Sequence, residues 1–480
     1  MDWTLLGFIL YLALILVIGS LTYKSNKSHK DFFLADRGLN PWLVAFSERT
    51  AGESAWLLLA LPGAAFAVGL VEIWTALGCV LGIIIYWYVI AKDLRIQSED
   101  NDSITLPNFF ARKFEGDNHS IRIISTLIII FFFTIYLAAQ FNGAGKALET
   151  TFDIPNVQGI IIGASVIIIY TMMGGFLAVV WTDLVQGIIM IGALVVLPIV
   201  GYIALKNNDI SLTNAFVSAG DGFLSLTQGK TGWAALAVVV GGLSWGFGYF
   251  GQPHLVTKFM AIKNPEQIKT GRRIAIMWAI PAFTGAFLIG FVGLAMYGAG
   301  YFSDVEKVMP HLALDLLPPW LTGIFISGAI AAMMSTADSL LLVLVSSVIE
   351  DIYHKTLGKE VSERTLLNLS RIITLIIGVI AFIIAVTSKE LIFQLVSYAW
   401  AGLGASFGPA LILILKWKKV TKQGVIAGML TGAVTTIIWQ SIESLDNMIS
   451  VRFTSFFLAF AVIVVVSLLT QQSTKRGIIK

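Results

Sequence analysis

Charge is scarce in this chain. Only 13% of its 480 residues are Asp, Glu, Lys or Arg, while 57% are hydrophobic, too little charge to cover a soluble protein of this length. Cysteine is nearly absent: Cys79 alone excludes an intramolecular disulfide framework and a cysteine metal site. The five histidines (His29, His119, His254, His311 and His354) are too scattered for a metal-ligand motif. No nucleophile–base set or nucleotide-binding stretch is present, so no enzyme is expected. The net charge of +3 points to no nucleic acid, and nothing marks an obligate protein partner. Long polar segments are missing too. The longest, 92–120 and 205–230, are loop-sized, which leaves a single transmembrane unit over 1–480. The first apolar run, Trp3–Tyr23, lacks a basic leader and a small-residue cleavage site and reads as a retained helix.

Long apolar runs fill the rest. Runs near 20 residues match the roughly 30 Å hydrocarbon core of a bilayer, where every backbone polar group must find its partner within its own segment. The expected fold is therefore an all-α polytopic membrane protein. Its spans are read at 3–23, 41–69, 71–91, 121–145, 157–173, 176–204, 232–256, 274–298, 319–348, 370–387, 391–415, 423–441 and 453–470, about thirteen in all. Lys and Arg concentrate on the cytoplasmic side of such proteins. With the N-terminus outside and the C-terminus inside, the inner segments hold 25 of the 32 basic residues and the outer ones six, with Arg49 inside a span. The expected location is the cell's inner (plasma) membrane, with the lipid bilayer as solvent.

Two spans are interrupted alike. The second carries Ser47-Glu-Arg-Thr-Ala-Gly-Glu-Ser54, and the seventh carries Gly241-Gly-Leu-Ser-Trp-Gly-Phe-Gly-Tyr-Phe-Gly251 followed by Pro253. Lying five spans apart, they cross in opposite directions, as in two inverted five-helix repeats that each open with a broken helix. The repeats would cover 41–204 and 232–415. Residues 1–40 would add an extra first helix and loop, and 416–480 the last two helices and tail. Close helix packing by glycine is the alternative explanation of the breaks.

An ionisable group at mid-membrane costs about 2.5–3.5 kcal/mol on insertion scales, so each one asks for a role. Asp183 either caps a helix near the interface or serves a site. In Ser335-Thr-Ala-Asp-Ser339, helical spacing puts Ser335, Asp338 and Ser339 on one face beside Thr336. Hydroxyl, carbonyl and carboxylate oxygens suit an alkali cation; back-bonding to the preceding turn explains the hydroxyls but not Asp338. Glu48, Arg49 and Glu53 form either a buried salt-bridge lock or part of a site. Tyr136, Trp245 and Tyr249 are packing aromatics, or else the wall of a pocket for a small apolar zwitterion whose carboxylate meets free backbone amides.

The motifs resemble the sodium/solute symporter family, and within it the proline-transporting branch, from about residue 5 to 470. They include Trp56-Leu-Leu-Leu-Ala-Leu-Pro-Gly63, Gly175-Phe-Leu-Ala-Val-Val-Trp-Thr-Asp183, Trp245-Gly-Phe-Gly-Tyr-Phe-Gly-Gln-Pro-His254, Ala332-Met-Met-Ser-Thr336 and Val396-Ser-Tyr-Ala-Trp-Ala-Gly402. The resemblance implies sodium-coupled import of L-proline by alternating access, with Na+ as the coupling ion. It implies a sodium site from the carbonyls of Thr50, Glu53 and Ala332 and the hydroxyls of Ser335 and Thr336. It places the substrate at Ser54, Ala55, Tyr136, Trp245, Tyr249 and Pro253, and a second sodium at Asp183, Asp338 and Ser339. The family pattern is broken at Gly52, where that branch carries Asp, and at Arg49, which replaces a small residue; Glu53 beside Gly52 is the candidate substitute carboxylate. The alternatives are the same fold with another small amino acid or a carboxylate such as pantothenate, or a non-transporting membrane sensor.

Overall fold

The computed structural model describes residues 3–23, 33–115, 118–173, 175–220, 222–360 and 362–477. Among the described residues it is built from helices, with no strand beyond a single isolated bridge between Leu39 and Ile262. The basic residues expected in 24–32 lie outside the described set.

The long helices fall on the predicted spans. They are α1 (Trp3–Tyr23), α2 (Pro41–Ala55, continuing through a π-turn at Trp56–Ala60 into Leu61–Val68), α3 (Ile73–Val89), α4 (His119–Phe152), α5 (Asn156–Met173) and α6 (Phe176–Asn207). Then come α7 (Gly232–Leu243, then Trp245–Gly248 and Pro253–Met260), α8 (Ile268–Tyr297), α9 (Pro319–Ser346), α10 (Glu363–Thr387), α11 (Ile392–Lys416), α12 (Lys422–Ser441) and α13 (Val451–Gly477). Ten helical stretches are long and apolar enough to cross a membrane, and one of them, Pro41–Val89, contains both α2 and α3. The apolar parts described for α1 and α5 are shorter, Trp3–Ile15 and Asn156–Ile169.

Polarity is arranged for lipid rather than water. Leu127, Ile169, Met277 and Leu469 point outward, while Glu48, Arg49, Glu53, Asp183 and Asp338 are fully buried. At the centre runs α9, buried along its whole crossing length and packed by α2, α4 and α6. Short helices at Ala91–Asp100, Leu106–Arg112, Leu212–Ala219 and Val308–Leu316 occupy segments that hydropathy alone reads as loops.

Both broken helices exist, and each breaks towards the end of its polar or glycine-rich stretch. In α2 the polar stretch Ser47–Glu53 stays helical, and the break comes at Ser54, whose backbone (φ 39°, ψ −167°) is left-handed and strained for a non-glycine residue. In α7 the glycine-rich stretch is likewise largely helical, and the chain extends only at Gln252 (φ −82°, ψ 106°), with Pro253 opening the second half. Those glycines serve close packing instead. A Cβ on Gly246 would lie 2.4 Å from the backbone oxygen of Gly78 on α3. Gly246→Ala is therefore expected to force α3 and α7 apart and to destabilise the detergent-solubilised protein by about 1–3 kcal/mol. Gly192→Ala, where a Cβ meets nothing within 4 Å, should leave the melting temperature unchanged.

Polar clasps close both ends of the bundle. At one end the segment before α2 joins the end of α7: Leu39 N donates to Ala261 O (3.1 Å) and Lys263 N to Leu39 O (2.8 Å). Arg37 crosses from there to the carbonyls of Met260 (2.7 Å) and Ser103 (2.7 Å). At the opposite end Lys146 of α4 pairs with Asp304 (2.9 Å) and Glu306 (2.5 Å). The Glu306 carboxylate also accepts from the first amides of α11, Ile392 N (3.0 Å) and Phe393 N (2.8 Å).

Candidate functional site

The strained turn at Ser54 has a local consequence. With the helix interrupted, the amide of Ala55 turns away from the helix ladder and donates to Gln140 Oε1 of α4 (3.1 Å), and the amide of Trp56 donates to Ser54 Oγ (3.1 Å). Tyr136, one turn before Gln140 on α4, donates to Ser54 Oγ (3.4 Å). The sequence-predicted residues Ser54, Ala55 and Tyr136 thus meet at one point, and Gln140, which was not predicted, holds the exposed amide.

Aromatic rings surround this break. Trp245 of α7 packs on Trp56 with centroids 4.8 Å apart, and Tyr249 stands edge-on to Trp400 of α11, also at 4.8 Å. With Gly52 and Tyr136 they line a nearly filled cavity of about 10 Å³, room for a single water in this closed arrangement. Trp400 is fixed by its indole, which donates to Trp245 O (3.0 Å). Arg452 of α13, expected in an outer loop, instead lies over the Trp245 ring at 4.5 Å and braces it by a cation–π contact. Pro253 is not part of that lining; it opens the second half of α7 just after the short turn Tyr249–Gly251.

One helical turn away along α2 the lining changes from carbon to oxygen. Thr336 Oγ1 of α9 donates to Ala51 O (2.9 Å), and Thr50 Oγ1 donates to Asp183 O of α6 (3.0 Å). Ser335 Oγ donates to Asp183 Oδ1 (2.5 Å) and Ser47 Oγ to Asp183 Oδ2 (2.5 Å). Ala332 is buried one turn earlier on α9. Gly187 on α6 leaves the room that Thr50 needs, since a Cβ there would lie 2.4 Å from Thr50 Oγ1. These hydroxyls and carbonyls, from three helices, form the hard-oxygen set that a monovalent cation requires. The carbonyl of Ala51, which the sequence alone does not single out, joins this cluster.

Glu53 is committed elsewhere. Its carboxylate accepts from Arg49 Nη1 (2.7 Å) and from the Tyr249 hydroxyl (3.2 and 3.3 Å). Arg49 also holds both oxygens of Glu48, one through Nε at 2.6 Å, and donates to the Tyr86 hydroxyl (3.0 Å); Trp87 Nε1 completes Glu48 (3.1 Å). Of the two readings open for this trio, the geometry is that of a salt-bridge lock, and Tyr249 ties the lock to the pocket wall.

Asp338 is hydrogen-bonded to a different helix from Asp183. One of its oxygens accepts from the Thr171 hydroxyl of α5, and the other has no hydrogen-bond donor. Asp183 and Ser339 meet a cation of a different kind. Lys258, assigned from the sequence to an inner loop, is 2% exposed. It lies within the second half of α7, and its ammonium donates to Ser47 Oγ (2.6 Å), Asp183 Oδ2 (3.0 Å) and Ser339 Oγ (3.0 Å).

Known proteins share this fold and part of this sequence. The sodium:solute symporter family model matches residues 32–432. The chain is 37% identical to the sodium/proline symporter of Escherichia coli over 443 residues, covering 91% of this chain and 87% of that one. It is 37% identical over 460 residues to the high-affinity proline transporter PutP of Bacillus subtilis, covering 95% and 96%. Among solved structures, a sodium-coupled sialic acid symporter in a substrate-bound outward-open state superposes with a TM-score of 0.80 at 17% identity, covering 98% of both chains. MhsT in complex with L-phenylalanine gives 0.56 at 14% identity, covering 89% and 97%. A matched family model over most of the length, with relatives of this identity, settles membership: the chain belongs to the sodium:solute symporter family.

Proposed function

We propose that this protein is a sodium-coupled symporter that imports L-proline across the plasma membrane by alternating access. The observation that carries the reading is the sharing of one turn of α2 by two chemically different sites. Ala51 offers its carbonyl to the oxygen cluster with Thr50, Ser335 and Thr336, and its neighbour Gly52 lines the aromatic pocket. A cation bound to the first fixes the backbone of the second, so each ligand raises the affinity of the other. The chemistry of the pocket lining suits a compact zwitterion, which enters when the surrounding helices part. Amides at Ala55 and Trp56 take the carboxylate in exchange for Gln140 and Ser54, while Trp56, Trp245 and Tyr249 enclose an apolar ring. Proline transporters among the relatives support the cargo.

The topology that goes with this reading has the N-terminus outside and the C-terminus inside, with inverted repeats at 41–204 and 232–415. The Lys146–Glu306 clasp then closes the outer mouth and the Arg37 clasp the inner one. Removing Lys258 from the inner loops leaves the excess of basic residues inside almost unchanged.

Radiolabelled proline uptake into proteoliposomes is expected with an inward sodium gradient and not when potassium replaces sodium. Sodium-driven uptake of a different amino acid or a carboxylate, with none of proline, would keep the ion and discard the cargo. Ser335→Ala and Thr336→Ala are each expected to raise the sodium concentration for half-maximal uptake at least tenfold, with proline binding at saturating sodium much less affected. Wild-type sodium activation curves in both variants would remove the assigned cation site.

A further inference from the structure

The resemblance leads one to expect a second sodium on Asp183, Asp338 and Ser339, and the residues present do not fit one. An ammonium has three donors, and each finds a short acceptor at Lys258: Ser47 Oγ at 2.6 Å, Asp183 Oδ2 at 3.0 Å and Ser339 Oγ at 3.0 Å. Two of the oxygens that a second sodium would use are therefore already taken by a positive charge. The third expected ligand, Asp338, gives one oxygen to Thr171 of α5, which leaves a single oxygen of the expected set without a partner. The Phe176 ring, 5.5 Å from the ammonium, closes a further side. Seated on the same oxygens, sodium and the ammonium would be like charges in contact distance in a poorly screened interior, which neither site geometry nor water relieves.

We propose that the Lys258 ammonium is a built-in substitute for the second sodium, holding Asp183 and Ser339 as that ion would, so that the protein binds one sodium rather than two. The inference rests on the sodium-coupled reading above and says how many ions that reading involves. The covalent tether also explains why Asp183 remains useful while the ion is gone. Its second oxygen accepts from Ser335 and its carbonyl from Thr50, so the lysine orients the carboxylate that in turn orients two hydroxyls of the remaining cation site. Lys258 acts here as a positioning residue.

The test counts radioactive sodium bound to purified full-length protein at saturating proline. One ion per chain is expected in the wild type and two in Lys258→Gln, where the vacated oxygens accept sodium; the sodium activation of uptake should steepen correspondingly. Two ions in the wild type, or a single ion in a folded Lys258→Gln, would overturn the proposal. No bound sodium in the wild type would instead overturn the sodium-coupled reading itself. Should Lys258→Gln be unstable, sodium decides again. Recovery of its folded state by high sodium, with no recovery in potassium, supports the substitution. Instability at every sodium concentration, cured only by adding Asp183→Asn, shows an ordinary structural ion pair and ends the proposal.

Discussion

Arg49→Met is expected to yield almost no folded protein in detergent, with a loss of about 3–5 kcal/mol, because two carboxylates are left buried without a counter-ion. Glu48, Arg49 and Glu53 are all fully buried, and Arg49 is the cation that reaches both acids. Neutralising the whole trio as Glu48→Gln, Arg49→Met and Glu53→Gln removes the orphaned charges together, and most of the lost melting temperature should return. Glu53→Gln alone should melt lower than the wild type and bind sodium normally. A folded Glu53→Gln protein with weakened sodium activation would mean that the carboxylate serves the cation after all.

Trp245→Ala and Tyr249→Ala are each expected to raise the proline concentration for half-maximal uptake at least tenfold. Losing one wall from a small apolar pocket costs about 1–3 kcal/mol. The variants should then separate. Tyr249 donates to Glu53, so Tyr249→Phe tests the hydroxyl alone: it keeps the ring, and its effect should appear mainly as reduced thermal stability. Trp245→Phe, which keeps a ring against Trp56 and Arg452, should recover much of the affinity. Affinities within twofold of wild type for both alanine variants would move the substrate out of this pocket.

Hydropathy placed the long helices because hydrocarbon demands long apolar runs, and that demand is visible residue by residue. The site was legible where a polar group interrupts such a run, as at Asp183, Ser335 and Thr336. Lys258 was not, because Pro253–Met260 is a half-helix inside the bundle whose sequence runs without a break into the basic stretch Lys263–Arg273. A charge at that border reads as the start of a loop. The break in α2 falls at Ser54, at the end of the polar stretch that marks it in the sequence, although serine itself carries no sign of a left-handed backbone. Gln140, Trp56 and Trp400 each sit in apolar surroundings where packing explains them equally well. Their role depends on which helices touch, and one chain's pattern does not encode that directly. A contribution from a backbone carbonyl, such as that of Ala51 to Thr336, is independent of the side chain and leaves no trace in composition.

The Lys146 clasp has a mechanical meaning. Lys146, Asp304, Glu306 and the first amides of α11 fasten that end of the bundle through charged and hydrogen-bonded contacts. Opening that end brings water to every one of those groups, and water replaces each bond that is lost, so the net free energy of fastening is only a small part of the gross attraction. An aromatic plug of equal area would have no such replacement and would resist opening by about 25 cal/mol for every Å² exposed. Made of ions at its rim and of rings at its core, the bundle thus has at this end a fastening that is specific when closed yet cheap to undo.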